Sequence, residues 1–304
     1  MSRQPISIWQ LIRQTGADWV EDKAPRLGAA LAYYSMFSIA PLVVIVLTIS
    51  GLVFGEQTVS DAMGSQLRDL LGESGAEVVE DMVKAARKPS RGIVATLVGI
   101  VALLFGASGV FGQLQDALNT IWEVKPKPGR GLWGLLKDRF ISFAMVLGTG
   151  FLLLVSLVLS AALAVIDKWA AGVLPGPPWI AAAGGVIVSL LVTASLFAMI
   201  FKVVPDAEIA WRDVWAGAFV TAFLFALGKY ALGVYLGRSD AASAYGAAGS
   251  LMLVLVWTYY SAQILFLGAE FTQAYAHLYG SKVRPAADAV SVQDSEREQQ
   301  GLSK

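Results

Sequence analysis

Charged residues interrupt this chain rarely, and the stretches between them are long. Residues 27–55 hold no Asp, Glu, Lys or Arg, and the same is true of 92–115, 140–166, 169–201 and 241–269. A bilayer core about 30 Å thick needs about 20 apolar residues in a helix, so each block is long enough to cross it. The fourth block opens with AAGVLPGPP, which reads as a loop. A further block is broken: 214–228 is uncharged, Lys229 interrupts, and 230–237 resumes. Counting it gives six spans, at about 28–54, 92–115, 140–166, 179–203, 213–236 and 244–271. The pattern predicts an all-α, polytopic membrane protein with one membrane domain over residues 1–280.

Two segments outside the spans repeat apolar residues at helical spacing. Ile8, Leu11, Ile12 and Trp19 share a side of 6–22, which predicts an interfacial helix before the first span. Met63, Leu67, Leu70, Leu71, Val78, Met82 and Ala86 fall on roughly one face of 57–90. That segment is expected to form extracytoplasmic helices broken at Gly72 and Gly75. Residues 281–304, rich in Ala, Ser, Gln and charge, are expected to be a disordered tail.

Lys and Arg in the connecting segments set the orientation. With the N-terminus inside, fifteen face the cytoplasm and seven face out, five of those seven in the long segment 56–91. Both termini are therefore expected in the cytoplasm of a bacterial cell, with the spans in its inner membrane.

Polar residues within the spans are costly and mark function or packing. Tyr33, Tyr34 and Ser38 lie in the first span, and Pro41 frees a carbonyl one turn before it. Ser108, Gln115, Asp116 and Asn119 fall on one side of the second span, with Gln113 beside it. Tyr259, Gln263 and Glu270 share a face of the last. All three sets lie toward the cytoplasmic end and predict a polar cavity open to that side, or a set of interhelical hydrogen bonds that holds the bundle. Lys229 and Arg238, toward the other side, are candidates for contact with an anion or lipid headgroup, or for snorkelling.

Composition narrows the chemistry. Of 304 residues, 56% are hydrophobic and 15% charged, and net charge is zero, so nothing points to nucleic acid. There is no cysteine and one histidine, His277, which removes thiolate chemistry and multi-histidine metal sites. No cofactor or metal is expected. No phosphate-binding glycine-lysine motif occurs, so this chain is not expected to use ATP.

Four stretches carry a resemblance: LGAALAYYSMFSIAPLVVI from Leu27, GASGVFGQLQDALNTIWEV from Gly106, VVPDAEIAWRDVWAGA from Val203, and YGAAGSLMLVLVWTYYSAQILFLGAEF from Tyr245. In their order and spacing the chain resembles the YihY/BrkB-type membrane proteins, once labelled ribonuclease BN-like. The resemblance implies a bacterial inner-membrane protein and little about activity. The nuclease label fits the residues poorly, because metal-dependent phosphodiester cleavage needs clustered carboxylates or histidines. The expected function is transport of a lipid or another amphipathic anion through the polar cavity. The alternative is a non-transporting scaffold or envelope-integrity factor. Membrane lipids are the expected partners, with homo-oligomers or envelope proteins beside them.

Overall fold

The computed structural model describes residues 8–54, 109–127, 178–238, 249–280 and 283–292, with isolated positions between 60 and 84. These residues are mostly helical. Helix α1 runs Ile8–Glu21 and α2 Ala24–Phe54. Residues 109–121 form α3. Helices α4 (Pro178–Val203), α5 (Trp211–Arg238) and α6 (Gly249–Leu278) follow. The expected span at 140–166 and most of that at 92–115 lie outside the described residues. Among the described residues, Trp211–Ala231 has the length and apolarity of a complete membrane crossing.

Helix α6 is the hub, with α1, α2 and α5 packed against it, while α4 packs on α5. Helices α5 and α6 run antiparallel and touch through small residues. A methyl group at Gly217 would overlap the Thr272 side chain, and one at Gly268 would overlap Thr221. Each threonine thus fills the space its facing glycine leaves. Each hydroxyl donates to the carbonyl one turn back in its own helix, Thr221 to Gly217 at 2.7 Å and Thr272 to Gly268 at 2.6 Å. The polar atom is satisfied without a cross-helix bond, and the backbones approach closely. Further along, Gly228 accommodates the Tyr260 ring. An aromatic series joins the three helices: Phe197 of α4 meets Phe225 of α5 at 5.6 Å, and Phe225 meets Trp257 of α6 at 5.9 Å, both edge-on.

Helices α1 and α3 end alike. Lys23 and Glu123 have φ of 55° and 53°, the left-handed conformation that terminates a helix. The first turns the chain into α2, the second into a strand.

That strand belongs to a small β patch that the all-α expectation lacks. Strand β1 (Val124–Pro126) pairs antiparallel with β4 (Ala289–Ser291), and β2 (Ala207–Glu208) with β3 (Arg284–Pro285). The expectation of disorder over 281–304 therefore fails for 283–292. Composition suggested a chain unable to bury a core, but this segment needs little core, because its main chain is bonded to two loops. Lys127 N donates to the Asp288 carbonyl at 3.0 Å, Val292 N to that of Glu123 at 2.8 Å, and Ala286 N to that of Asp206 at 2.9 Å.

In the segment 57–90, Ala76, Val79 and Val83 are buried at helical spacing, and Arg68 meets Glu80 at 3.2 Å. Of the apolar positions expected to share a face there, Met63 is half-buried and the rest lie outside the described residues.

Candidate polar site

In α2, Ser38 is buried, while Tyr33 and Tyr34 are exposed and pack edge-on at 5.8 Å. Proline 41 lies within the helix, and its side chain is not among those described. Gly109 of α3 brings its backbone against this face: a methyl there would sit 3.5 Å from both Ser38 Oγ and a Tyr34 ring carbon. One turn on, a methyl at Gly112 would meet nothing within 4 Å. The α2 and α3 polar faces therefore meet at Gly109 and part at Gly112.

Helix α3 divides the residues expected on one face. Gln115 and Asn119 are buried, Gln113 is half-buried, and Asp116 is exposed. Adjacent positions in a helix are turned by about 100°, enough to put position 115 inward and 116 outward. Position 116 follows Gly112 by four residues, on the side where space is open. Ser108 lies outside the described residues.

Asn119 makes a two-bond polar link in this region. Its Nδ2 donates to Asp206 Oδ2 at 3.0 Å, and its Oδ1 accepts from Asp206 N at 2.8 Å. The pair joins the end of α3 to the turn between α4 and α5. That turn is closed by Lys202, whose Nζ donates to the Ile209 carbonyl and lies 5.9 Å from the Trp211 ring centre.

Helix α6 carries the remaining candidates from surface to interior. Tyr259 is exposed and Gln263 half-buried, its Nε2 donating to the Ala24 carbonyl at 3.5 Å. Gly28 of α2 makes room for that side chain. Glu270 is fully buried, on a face with Phe266 and Gln273. Asp116 and Glu270, expected to border one cavity, thus differ in setting: one lies at the surface and the other inside the bundle. Lys229 of α5 is exposed, and the Arg238 side chain is not among those described.

Several buried polar residues were not singled out from sequence. Asp22 and Asp213 are buried at helix starts or ends, and Thr221, Thr272 and Gln273 line α5 and α6. The first-turn position of Asp213 suits the positive end of the α5 dipole. The glycine–threonine spacing of four was visible in α5 and α6, but not that the two would face each other. Among the described residues, no three His, Cys, Asp or Glu side chains are grouped to hold a metal ion.

No solved structure matches this chain significantly. Similar proteins include the UPF0761 membrane protein of Azotobacter vinelandii, 28% identical over 87% of this chain and 62% of that protein. One from Teredinibacter turnerae is 27% identical over 94% of this chain and 65% of its own length. One from Pseudomonas aeruginosa PAO1 is 28% identical over 83% and 59%. The chain thus spans about three-fifths of these relatives. The family described as virulence factor BrkB matches residues 16–292, nearly the whole chain, with polar α2, α3 and α6 faces inside the match; this membrane protein belongs to that family.

Proposed function

We propose that this protein is a translocator of a lipid or another amphipathic anion in the bacterial inner membrane, with six spans and both termini in the cytoplasm. The observation that carries the reading is Glu270. An ionisable side chain fully buried in a helix of a membrane protein is costly, and such groups mark substrate or proton pathways by default. It continues inward a line that begins with exposed Tyr259 and half-buried Gln263 on the same helix. The open side of Gly112, next to Asp116, supplies a polar approach at the α2–α3 face. The topology draws support from the β patch. The loop after α3, the turn between α4 and α5, and the tail were assigned to one side by their charges, and strand pairing joins those three segments. Exposed Ile8, Trp9, Ile12 and Val20 on α1 suit a helix at the interface before the first span.

The test is reconstitution into vesicles with fluorescent phospholipid in both leaflets and a membrane-impermeant quencher outside. A translocator exposes nearly all the label, where a passive membrane exposes about the outer half. Glu270→Gln is expected to slow this roughly tenfold, and Lys229→Gln to slow it less, since Lys229 is exposed. Label protection identical to empty vesicles would overturn the reading. Unchanged rates in both Glu270→Gln and Asp116→Asn would remove any proton-carrying role.

A scaffold or envelope-integrity role is favoured by one observation: the Asn119–Asp206 pair and the tail strands tie the helix ends together. On that reading the vesicles are silent, and Asn119→Leu alone weakens the cell envelope. Neither reading gives the chain a nuclease activity, which purified protein incubated with RNA and divalent cations would check.

A further inference from the structure

The segment 283–292 lies between two loops that are far from it in sequence, and it pairs with both. On one side β4 pairs with β1, with Val124, Lys125 and Pro126 opposite Ser291, Val290 and Ala289. On the other, β3 pairs with β2, with Ala207 and Glu208 opposite Pro285 and Arg284. Strand β1 continues α3, and β2 lies in the turn between α4 and α5. Each pair contains a proline, Pro126 in one and Pro285 in the other. Proline has no N–H to give to a ladder, so neither pair can lengthen into a stable sheet. Two-stranded pairs of this length are marginal by themselves.

The side chains add a modest hold, with half-buried Val283 packed against the core. Among the described residues of the tail only Ala289 is buried, while Arg284, Ala287 and Ser291 are exposed. Most of the described polar hold is main-chain bonding, together with the Lys127 ammonium donating to the Ala287 carbonyl at 2.7 Å. This is how an extended peptide adds a strand to an exposed edge: the main chain supplies affinity and one small pocket supplies register. The buried side chain that would set register here is Ala289.

We propose that the loops 123–127 and 206–208 form a peptide-binding cleft whose occupant is the chain's own segment 283–292, and that this segment is a detachable strap. When seated, it fixes the distance between the end of α3 and the α4–α5 turn. When it leaves, the Asn119–Asp206 pair still ties them, and Val124 and Ala207 stay in the hydrophobic core. The inference stands apart from the translocation reading, since it concerns occupancy of the cleft and not passage of a cargo.

The chain has no cysteine, so Lys304→Cys accepts a single fluorophore at the end of the tail. A protease site inserted at 281–282 then cuts the link in the folded, detergent-solubilised full chain. The expected result is that the labelled tail stays bound at micromolar protein, with high anisotropy. It then leaves on hundredfold dilution or on adding excess unlabelled VRPAADAVSV peptide. The same peptide with Ala289→Asp is expected to displace at least tenfold less. As a second measurement on an uncut chain, Ala289→Asp empties the cleft and is expected to bind labelled VRPAADAVSV at least tenfold more tightly than the parent does. Immediate release on cutting would overturn the cleft. Retention through dilution and peptide would overturn detachment, making the segment a fixed part of the fold. Equal displacement by the Ala289→Asp peptide would overturn the register.

Discussion

The α5–α6 contact and the β patch hold together distant parts of one chain by opposite means. Between α5 and α6 the threonine hydroxyls turn inward: Thr221 and Thr272 bond their own helices, and each meets its facing glycine by shape. In the patch the polar atoms reach outward, with Asn119 bonding Asp206 across 87 residues of sequence and Lys127 bonding Ala287 across 160. The difference follows burial: Thr221 and Thr272 are fully buried, whereas Lys127 is exposed and Asp206 half-buried. Where water is absent, a helix that satisfies its own groups loses nothing if its neighbour shifts, so close packing is the safer joint. At the surface, where Lys127 lies, a broken bond is replaced by solvent, so such a bond between segments is reversible.

The sharpest way to break this comparison is to add bulk between α5 and α6. Gly217→Leu drives a side chain into Thr272 and is expected to cost about 3 kcal/mol, the upper end for overpacking. Pairing the milder Gly217→Ala with Thr272→Gly is expected to recover part of the loss seen in Gly217→Ala alone. Thermal unfolding in detergent measures both. Next in size is Asn119→Leu, which removes both bonds to Asp206 and is expected to cost about 2 kcal/mol. Asp206→Asn keeps the backbone donor and an acceptor oxygen, so it should cost less in the same assay. Thr221→Val keeps the shape and removes only a bond within its own helix; about 0.5 kcal/mol is expected. A value as large as that of Asn119→Leu would mean that hydroxyls, not fit, join α5 to α6. Smallest is Lys127→Met, an exposed change expected below about 0.5 kcal/mol.

How far the sequence reaches depends on how local the cause is. The charge-free blocks anticipate helices closely where the boundary is a charged or turn residue. The block expected at 179–203 becomes Pro178–Val203, and that at 213–236 becomes Trp211–Arg238. The last helix runs on past the expected 271 to Leu278, because TQAYAH continues a good helical sequence after Glu270. The polar candidates were legible as residue types but not as neighbours. Asp116 and Gln115 looked equivalent one position apart, yet the turn between them sends one out and the other in. Asn119 and Asp206 each stood in a noted stretch, and nothing in either revealed the other. The tail was least legible, since its strands exist through loops more than seventy residues earlier in the chain, and composition cannot report a partner.

The facing glycines and threonines of α5 and α6 also limit how this family can diverge. Each glycine is a position whose permitted size is set by a residue on another helix, so 217 with 272, and 221 with 268, form two shared volumes. Substitution at one member alone is penalised, while an exchange that moves bulk from one helix to the other keeps the volume. Drift at these four sites should therefore come in matched steps. A homologue with a larger residue at 217 is expected to carry glycine or alanine at 272, leaving the spacing of the two helices unchanged while their sequences part.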